Sequence, residues 1–130
     1  MTELPRVLPI VAIVDDDGAI RNALARLVRT LGYEPSVFSD GEELLAALDA
    51  LRPDCVLTDI QMPGMNGLAL TQHLNRRAPS LPVLVMTAYP SFTNREQALS
   101  FGATEYLTKP LDDDKLENWL QGVLGARSGR

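Results

Sequence analysis

Two hydrophobic periods alternate along this chain. Continuous apolar runs occur at Ile10-Val11-Ala12-Ile13-Val14, Cys55-Val56-Leu57 and Val83-Leu84-Val85-Met86. Runs of this kind are expected of strands covered on both faces. Between the first two runs, Ile20, Leu24, Leu27, Val28 and Leu31 recur at helical spacing, and Gly32 is placed to end that helix. Residues 33–38 read as a second strand. Ser39 and Glu42 have capping-box spacing ahead of a helix whose Leu44, Leu45, Leu48 and Leu51 share one face. Residues 54–59 form a third strand, and residues 68–77 a third helix that Pro79 stops. A fourth strand lies within 81–87, and Pro90 marks a turn after it. Residues 93–101 then read as a helix with a thin apolar face of Ala98, Leu99 and Phe101, ended by Gly102. Glu105-Tyr106-Leu107-Thr108 is a short fifth strand, broken by Lys109-Pro110. The last helix, residues 112–124, carries Leu116, Trp119, Leu120 and Val123 on one side, and Gly122 weakens it by about 1 kcal/mol relative to Ala. Residues 1–8 read as a flexible lead-in and 125–130 as a disordered tail, leaving one domain over 9–124.

Strict alternation of strand and helix implies an α/β fold, a parallel sheet with helices on both faces. The expected architecture is flavodoxin-like (βα)5, a doubly wound five-stranded sheet in the order 2-1-3-4-5. Its switch point falls between the first and third strands, where ligands collect outside the carboxyl ends. Asp15, Asp16 and Asp59 would converge there. Thr87 ends the fourth strand and Lys109 follows the fifth, so both point to the same edge. For Asp59 alone, capping of the next helix is an equal alternative to a functional role.

Composition narrows the classes. The chain has 130 residues, 45% hydrophobic and 22% charged, as expected of one globular domain. Its formal net charge of -5 argues against direct nucleic-acid binding, which needs a basic face. The one cysteine, Cys55, sits in an apolar run and reads as a buried thiol. The one histidine, His73, lies in a polar helical stretch and reads as a surface residue. A thiolate or imidazole metal cluster is therefore excluded. The apolar run 7–14 is too short for a membrane span and is followed by aspartates, so a cytoplasmic setting is expected.

The strand-end cluster offers hard oxygen ligands, which suit Mg²⁺, Mn²⁺ or Ca²⁺ rather than zinc. Crowded carboxylates raise one another's pKa unless a cation joins them. Lys109 can pair with a carboxylate or a phosphoryl oxygen, and the Thr87 hydroxyl can donate to the same group. A carboxylate nucleophile, a divalent ion, a lysine and a hydroxyl together suit phosphoryl transfer. Asp17 reads as a helix N-cap. Gln61 and Tyr89 each lie two residues beyond a strand-end residue, placing both to overhang the reacting group and tune its lifetime.

Four pieces, Val14-Asp15-Asp16-Asp17, Thr58-Asp59-Ile60-Gln61-Met62-Pro63-Gly64-Met65-Asn66-Gly67, Thr87-Ala88 and Lys109-Pro110, stand in order at strand ends. Together they resemble the receiver domain of two-component response regulators, over roughly residues 9–124. The resemblance implies a phosphoacceptor role for Asp59 and a metal site of Asp15, Asp16, Asp59 and the Gln61 backbone carbonyl, with Asp16 a direct ligand. It implies that Lys109 contacts the phosphoryl group, that Thr87 and Tyr106 form the switch, and that Lys109-Pro110 is cis. The implied donor is a histidine kinase or phosphotransfer protein. The implied output is a partner or a second copy bound on the face of the fourth helix, fifth strand and fifth helix. By that reading the protein is a signalling switch that assists its own phosphorylation, not a turnover enzyme. Two alternatives remain: the receiver portion of a larger DNA-binding regulator, and a flavodoxin-like metal-dependent hydrolase. The hydrolase would need its own acid or base in a separate pocket, and the sequence supplies none.

Overall fold

The computed structural model describes residues 8–125. Five parallel strands stand in the order β2-β1-β3-β4-β5, as expected. They are β1 (Ile10–Val14), β2 (Glu34–Phe38), β3 (Cys55–Asp59), β4 (Val83–Thr87) and β5 (Glu105–Thr108). The helices between and after them are α1 (Gly18–Thr30), α2 (Gly41–Leu51), α3 (Gly67–Arg77), α4 (Phe92–Ser100) and α5 (Asp113–Leu120). The expected lead-in and tail lie outside the described residues, except for Leu8 and Gly125.

The apolar runs explain the layering. β3 and β4 are buried at every position, as strands covered on both faces must be. Successive side chains alternate between two cores. Ala12, Val14, Val56, Val83 and Val85 pack with Leu44 and Leu48 of α2 and Leu70 and Leu74 of α3. Val11, Ile13, Leu57, Leu84 and Met86 pack with Leu24 and Val28 of α1 and Leu116 and Leu120 of α5. β2 is an edge strand paired only with β1, and its pattern is correspondingly exposed. α4 has the thin apolar face expected of it, with Ala98 its buried residue.

The helix ends are chemically specified. Asp17 caps α1, accepting from the backbone N–H groups of Ala19 and Ile20. Gly32 follows that helix at φ +96°, a conformation that favours glycine. The N-cap of α2 is one residue later than the expected Ser39, and the returning glutamate is Glu43 rather than Glu42, reaching the residue before the cap. Asp40 is the N-cap, accepting from Glu43 N at 2.8 Å, and Glu43 Oε1 accepts from Ser39 N at 3.0 Å. Both residue pairs have the same spacing, so the local pattern does not discriminate between them. α4 starts one residue earlier than expected because Ser91 caps it, its hydroxyl accepting from Asn94 N at 3.0 Å. The regular last helix stops at Leu120, and residues Gln121–Gly125 continue as a wider π turn. Gly122 and Gly125 in that turn favour the departure.

Candidate functional site

Parallel strands put every carboxyl end on one edge of the sheet. Asp15 directly follows β1 and is wholly buried. Neighbours in sequence and on β2 hold it. Its Oδ1 accepts from Asp17 N at 2.9 Å, its backbone N–H donates to Phe38 O at 3.2 Å, and its carbonyl accepts from Arg21 Nη1 at 2.7 Å. Arg21 reaches back from α1, so the helix that Asp17 starts also fixes the strand end before it. Asp16, between these two, is exposed.

Asp59 is the last residue of β3 and only 4% exposed. Its carbonyl accepts from Thr58 Oγ1 at 3.0 Å. The next residue stays in the ladder, Ile60 N donating to Met86 O at 3.1 Å. The loop after it returns to the strand end at Gly67, whose N–H donates to Ile60 O at 2.9 Å. A Cβ at position 67 would collide with the Asp59 carbonyl oxygen, so only glycine permits this approach. The N-cap of α3 is Asn66, accepting from Ala69 N at 2.9 Å. Helix capping therefore does not account for Asp59.

Lys109 joins the two buried carboxylates. Its Nζ lies 2.7 Å from Asp15 Oδ2 and 3.0 Å from Asp59 Oδ1. Carboxylate oxygens of Asp15, Asp16 and Asp59 all lie within 4.8 Å of one another. Burial pushes the Asp59 carboxyl above its ordinary pKa, and the Asp15 charge pushes the same way, against the opposing hydrogen bond and charge of Lys109. Burial also disfavours the Lys109 ammonium, but its hydrogen bonds to Asp15 and Asp59 outweigh this and raise its pKa. Three carboxylates and one ammonium leave an excess of two negative charges, and the donors are hard oxygens. That donor set fits a divalent cation of the Mg²⁺ or Mn²⁺ type.

Thr87, the last residue of β4, is buried beside this cluster, one position beyond the ladder partner of Asp59. Its hydroxyl donates to Gln61 Oε1 at 2.9 Å and accepts from Tyr89 N at 3.0 Å. Tyr89 is 72% exposed. Tyr106 pairs with Val85 in the ladder, and its hydroxyl accepts from Ser91 N at 3.2 Å. The Lys109-Pro110 bond is cis, as the resemblance implies. The fold thus brings Asp15, Asp16, Asp59 and Lys109 into one cluster and leaves Tyr89 and Tyr106 outside it. Arg21, Gly67 and the Gln61 side chain were not singled out for these contacts by the sequence. Helical spacing from Asp17 could have placed Arg21 on the face beside Asp15. Nothing local could have paired Gln61 with Thr87, 26 residues away.

Comparison with known proteins gives the same picture. The family model described as the response regulator receiver domain matches residues 11–121. The DNA-binding transcriptional regulator NtrC of Salmonella typhimurium is 45% identical over 106 residues, covering 82% of this chain and 23% of the relative. The transcriptional regulatory protein FixJ of Azorhizobium caulinodans is 35% identical over 129 residues, covering 98% of this chain and 61% of the relative. The chain thus spans about a quarter of NtrC and under two thirds of FixJ. Among solved structures, the chemotaxis protein CheY4 of Vibrio cholerae superposes with TM-score 0.84 at 30% identity, covering 91% of this chain and 100% of that one. A CheY-like receiver domain protein from Methanospirillum hungatei superposes with TM-score 0.86 at 28% identity, covering 92% and 96%. Sequence match and chain trace converge: this chain belongs to the receiver domain family of two-component response regulators.

Proposed function

We propose that Asp59 accepts a phosphoryl group from a phosphohistidine of a histidine kinase or phosphotransfer protein. The observation that carries this reading is the buried Asp15–Lys109–Asp59 arrangement, with Lys109 Nζ within 3.0 Å of both carboxylates. An Asp59 oxygen forms the new bond to phosphorus as the N–P bond of the donor breaks, and the imidazole leaves neutral, protonated from solvent. Lys109 meets the negative charge carried by the transferring group. The Thr87 hydroxyl turns to donate to the same oxygens. Asp15, Asp16, Asp59 and the Gln61 carbonyl would hold Mg²⁺ or Mn²⁺, with Asp16 a direct ligand. When bound, the ion supplies charge neutralisation for that transfer. Catalysis is positioning and electrostatics, so the domain assists its own phosphorylation and dephosphorylation and acts as a switch. Gln61 and Tyr89 tune the lifetime of the aspartyl phosphate.

An apolar groove beside Lys109, lined by Ile20, Leu24, Leu27, Pro110 and Leu111, supports approach of a protein donor. The phosphoryl group brings about two negative charges to a site that already has an excess of them. Thr87 and Tyr106 carry that change outward, because their hydroxyls hold the backbone N–H groups of Tyr89 and Ser91, at the two ends of the loop into α4. The output surface is then α4, β5 and α5, binding a partner or a second copy. The domain occupies residues 9–124 and works in the cytoplasm. Among the described residues, no helix is long and apolar enough to cross a membrane. A second reading, the receiver portion of a larger DNA-binding regulator, is favoured by the 23% share of NtrC that the match covers.

The test is incubation with Mg²⁺ and acetyl phosphate, followed by intact mass measurement. Wild type should gain one phosphoryl group and Asp59→Asn none. Normal labelling of Asp59→Asn would remove Asp59 from its role, and labelling that persists in EDTA would remove the metal.

A further inference from the structure

The buried Thr87 hydroxyl has one proton and accepts one backbone N–H. The proton goes to Gln61 Oε1 at 2.9 Å, and the accepted bond comes from Tyr89 N at 3.0 Å. The hydroxyl's single proton is thus committed to a partner other than Asp59 or Lys109. To donate to a phosphoryl oxygen it must leave Gln61, because it has no second proton. We propose that the Gln61 side chain is a positioning residue acting through Thr87: its amide oxygen latches the hydroxyl in the unphosphorylated arrangement and sets the free energy of switching. The proposal rests on the phosphoacceptor reading and adds a reason for the amide at position 61 that lifetime tuning does not supply.

The arrangement extends from the latch to the surface. Thr87 Oγ1 is the acceptor for Tyr89 N, and Tyr106 Oη is the acceptor for Ser91 N. Ser91 also caps α4 through its own hydroxyl. Turning the Thr87 hydroxyl away from Gln61 takes the acceptor from Tyr89 N and loosens the loop end that precedes the cap. A stronger latch therefore holds α4 in place, and a weaker one releases it. Gln61 is exposed, whereas Thr87 is buried, so Gln61 can be changed without opening the core.

The experiment has two arms. In the first, threonine-labelled protein without any ligand is examined by NMR, and three-bond couplings report the Thr87 rotamer. Wild type should occupy one rotamer and Gln61→Ala should average between rotamers. Gln61→Glu, which keeps an acceptor at the same reach, should restore the single rotamer. In the second arm, affinity for beryllofluoride with saturating Mg²⁺ is measured as a phosphoryl mimic. Gln61→Ala should bind it about fivefold more tightly, equivalent to about 1 kcal/mol. In a Thr87→Ala background the same change should have no effect, because the coupling runs through the hydroxyl. One fixed rotamer in both wild type and Gln61→Ala would overturn the latch. So would unchanged or weaker mimic binding, or an equal effect without the Thr87 hydroxyl. Failure of wild type to bind the mimic would instead overturn the phosphoacceptor reading, and the ligand-free couplings would still decide the latch.

Discussion

Replacing Asp59 by Asn should stabilise the protein at neutral pH in the absence of divalent ions. The Asp59 carboxylate lies within 4.8 Å of oxygens of Asp15 and Asp16 and 3.0 Å from Lys109 Nζ. At an effective dielectric constant of about 20, Asp15 repels it by at least about 3.5 kcal/mol and Lys109 attracts it by about 6 kcal/mol. Asp16 is exposed and adds about 1 kcal/mol or less of repulsion. Burying the carboxylate costs several kcal/mol more, which turns the balance against the charged form. The raised pKa of Asp59 has the same sign, with burial as its largest cause. Asparagine has nearly the same shape, and Lys109 keeps its 2.7 Å partner Asp15. The expected gain is about 1 kcal/mol, or about 3–6 °C in Tm for a domain of this size.

The pH dependence identifies the cause. Asp59 is raised in the folded state, so between the ordinary carboxylate range near pH 4 and its raised value the folded chain holds the extra proton. Wild-type stability therefore falls as pH rises through that window, and the Asn variant lacks this loss. The difference should vanish below the ordinary range and reach a plateau above the raised value. Urea unfolding in EDTA, followed by the fluorescence of Trp119, gives the measurement. Trp119 is the sole tryptophan and is half-buried, with its Nε1 donating to Thr104 Oγ1 at 3.2 Å. Mg²⁺ at a hundredfold excess over its Kd should add about 2.7 kcal/mol to wild type and less to the variant. A variant less stable than wild type at pH 7 in EDTA, or a gain of equal size at acid pH, would refute the electrostatic account.

Lys109→Gln should do the reverse, destabilising by about 3–5 kcal/mol at neutral pH because two buried carboxylates lose their shared cation. The loss should shrink in acid as Asp59 takes up a proton, and denaturation midpoints against pH would show whether it does. Gly67→Ala should lower stability by about 2–3 kcal/mol and slow phosphorylation, since the new methyl displaces the Asp59 carbonyl; a normal urea midpoint would contradict that geometry. Tyr89→Ala should shorten the lifetime of the aspartyl phosphate by a few-fold, read by the decay of phosphorylated mass, if its exposed ring obstructs an attacking water. An unchanged or longer lifetime would remove Tyr89 from that role.

Much of this protein is legible in the order of its residues. Uninterrupted apolar runs mark Ile10–Val14 and Val83–Met86 as strands covered on both faces, and the helical spacing between strands makes the crossovers parallel. Parallel connection brings Asp15, Asp59, Thr87 and Lys109 to one edge before any coordinate is known, because every strand ends there. The Asp17 cap was legible for the same local reason: a short acidic side chain ahead of a helical pattern. Where two neighbouring residue pairs offer the same spacing, as at Ser39/Glu42 and Asp40/Glu43, local pattern cannot choose between them, and the cap falls on the second.

Which atoms meet across long sequence separations was decided by tertiary structure. Lys109 reaches Asp15, 94 residues away, because β1, β3 and β4 bring distant strand ends into register beneath it. Gln61 meets the Thr87 hydroxyl only because the loop after β3 folds over the end of β4. Gly67 is required by the return of that same loop onto the Asp59 carbonyl, a backbone approach that periodicity does not encode. Periodicity records which face a side chain takes. Register, loop path and rotamer decide what it touches there, and at this site those contacts set the charge balance on Asp59 and the position of the Thr87 hydroxyl.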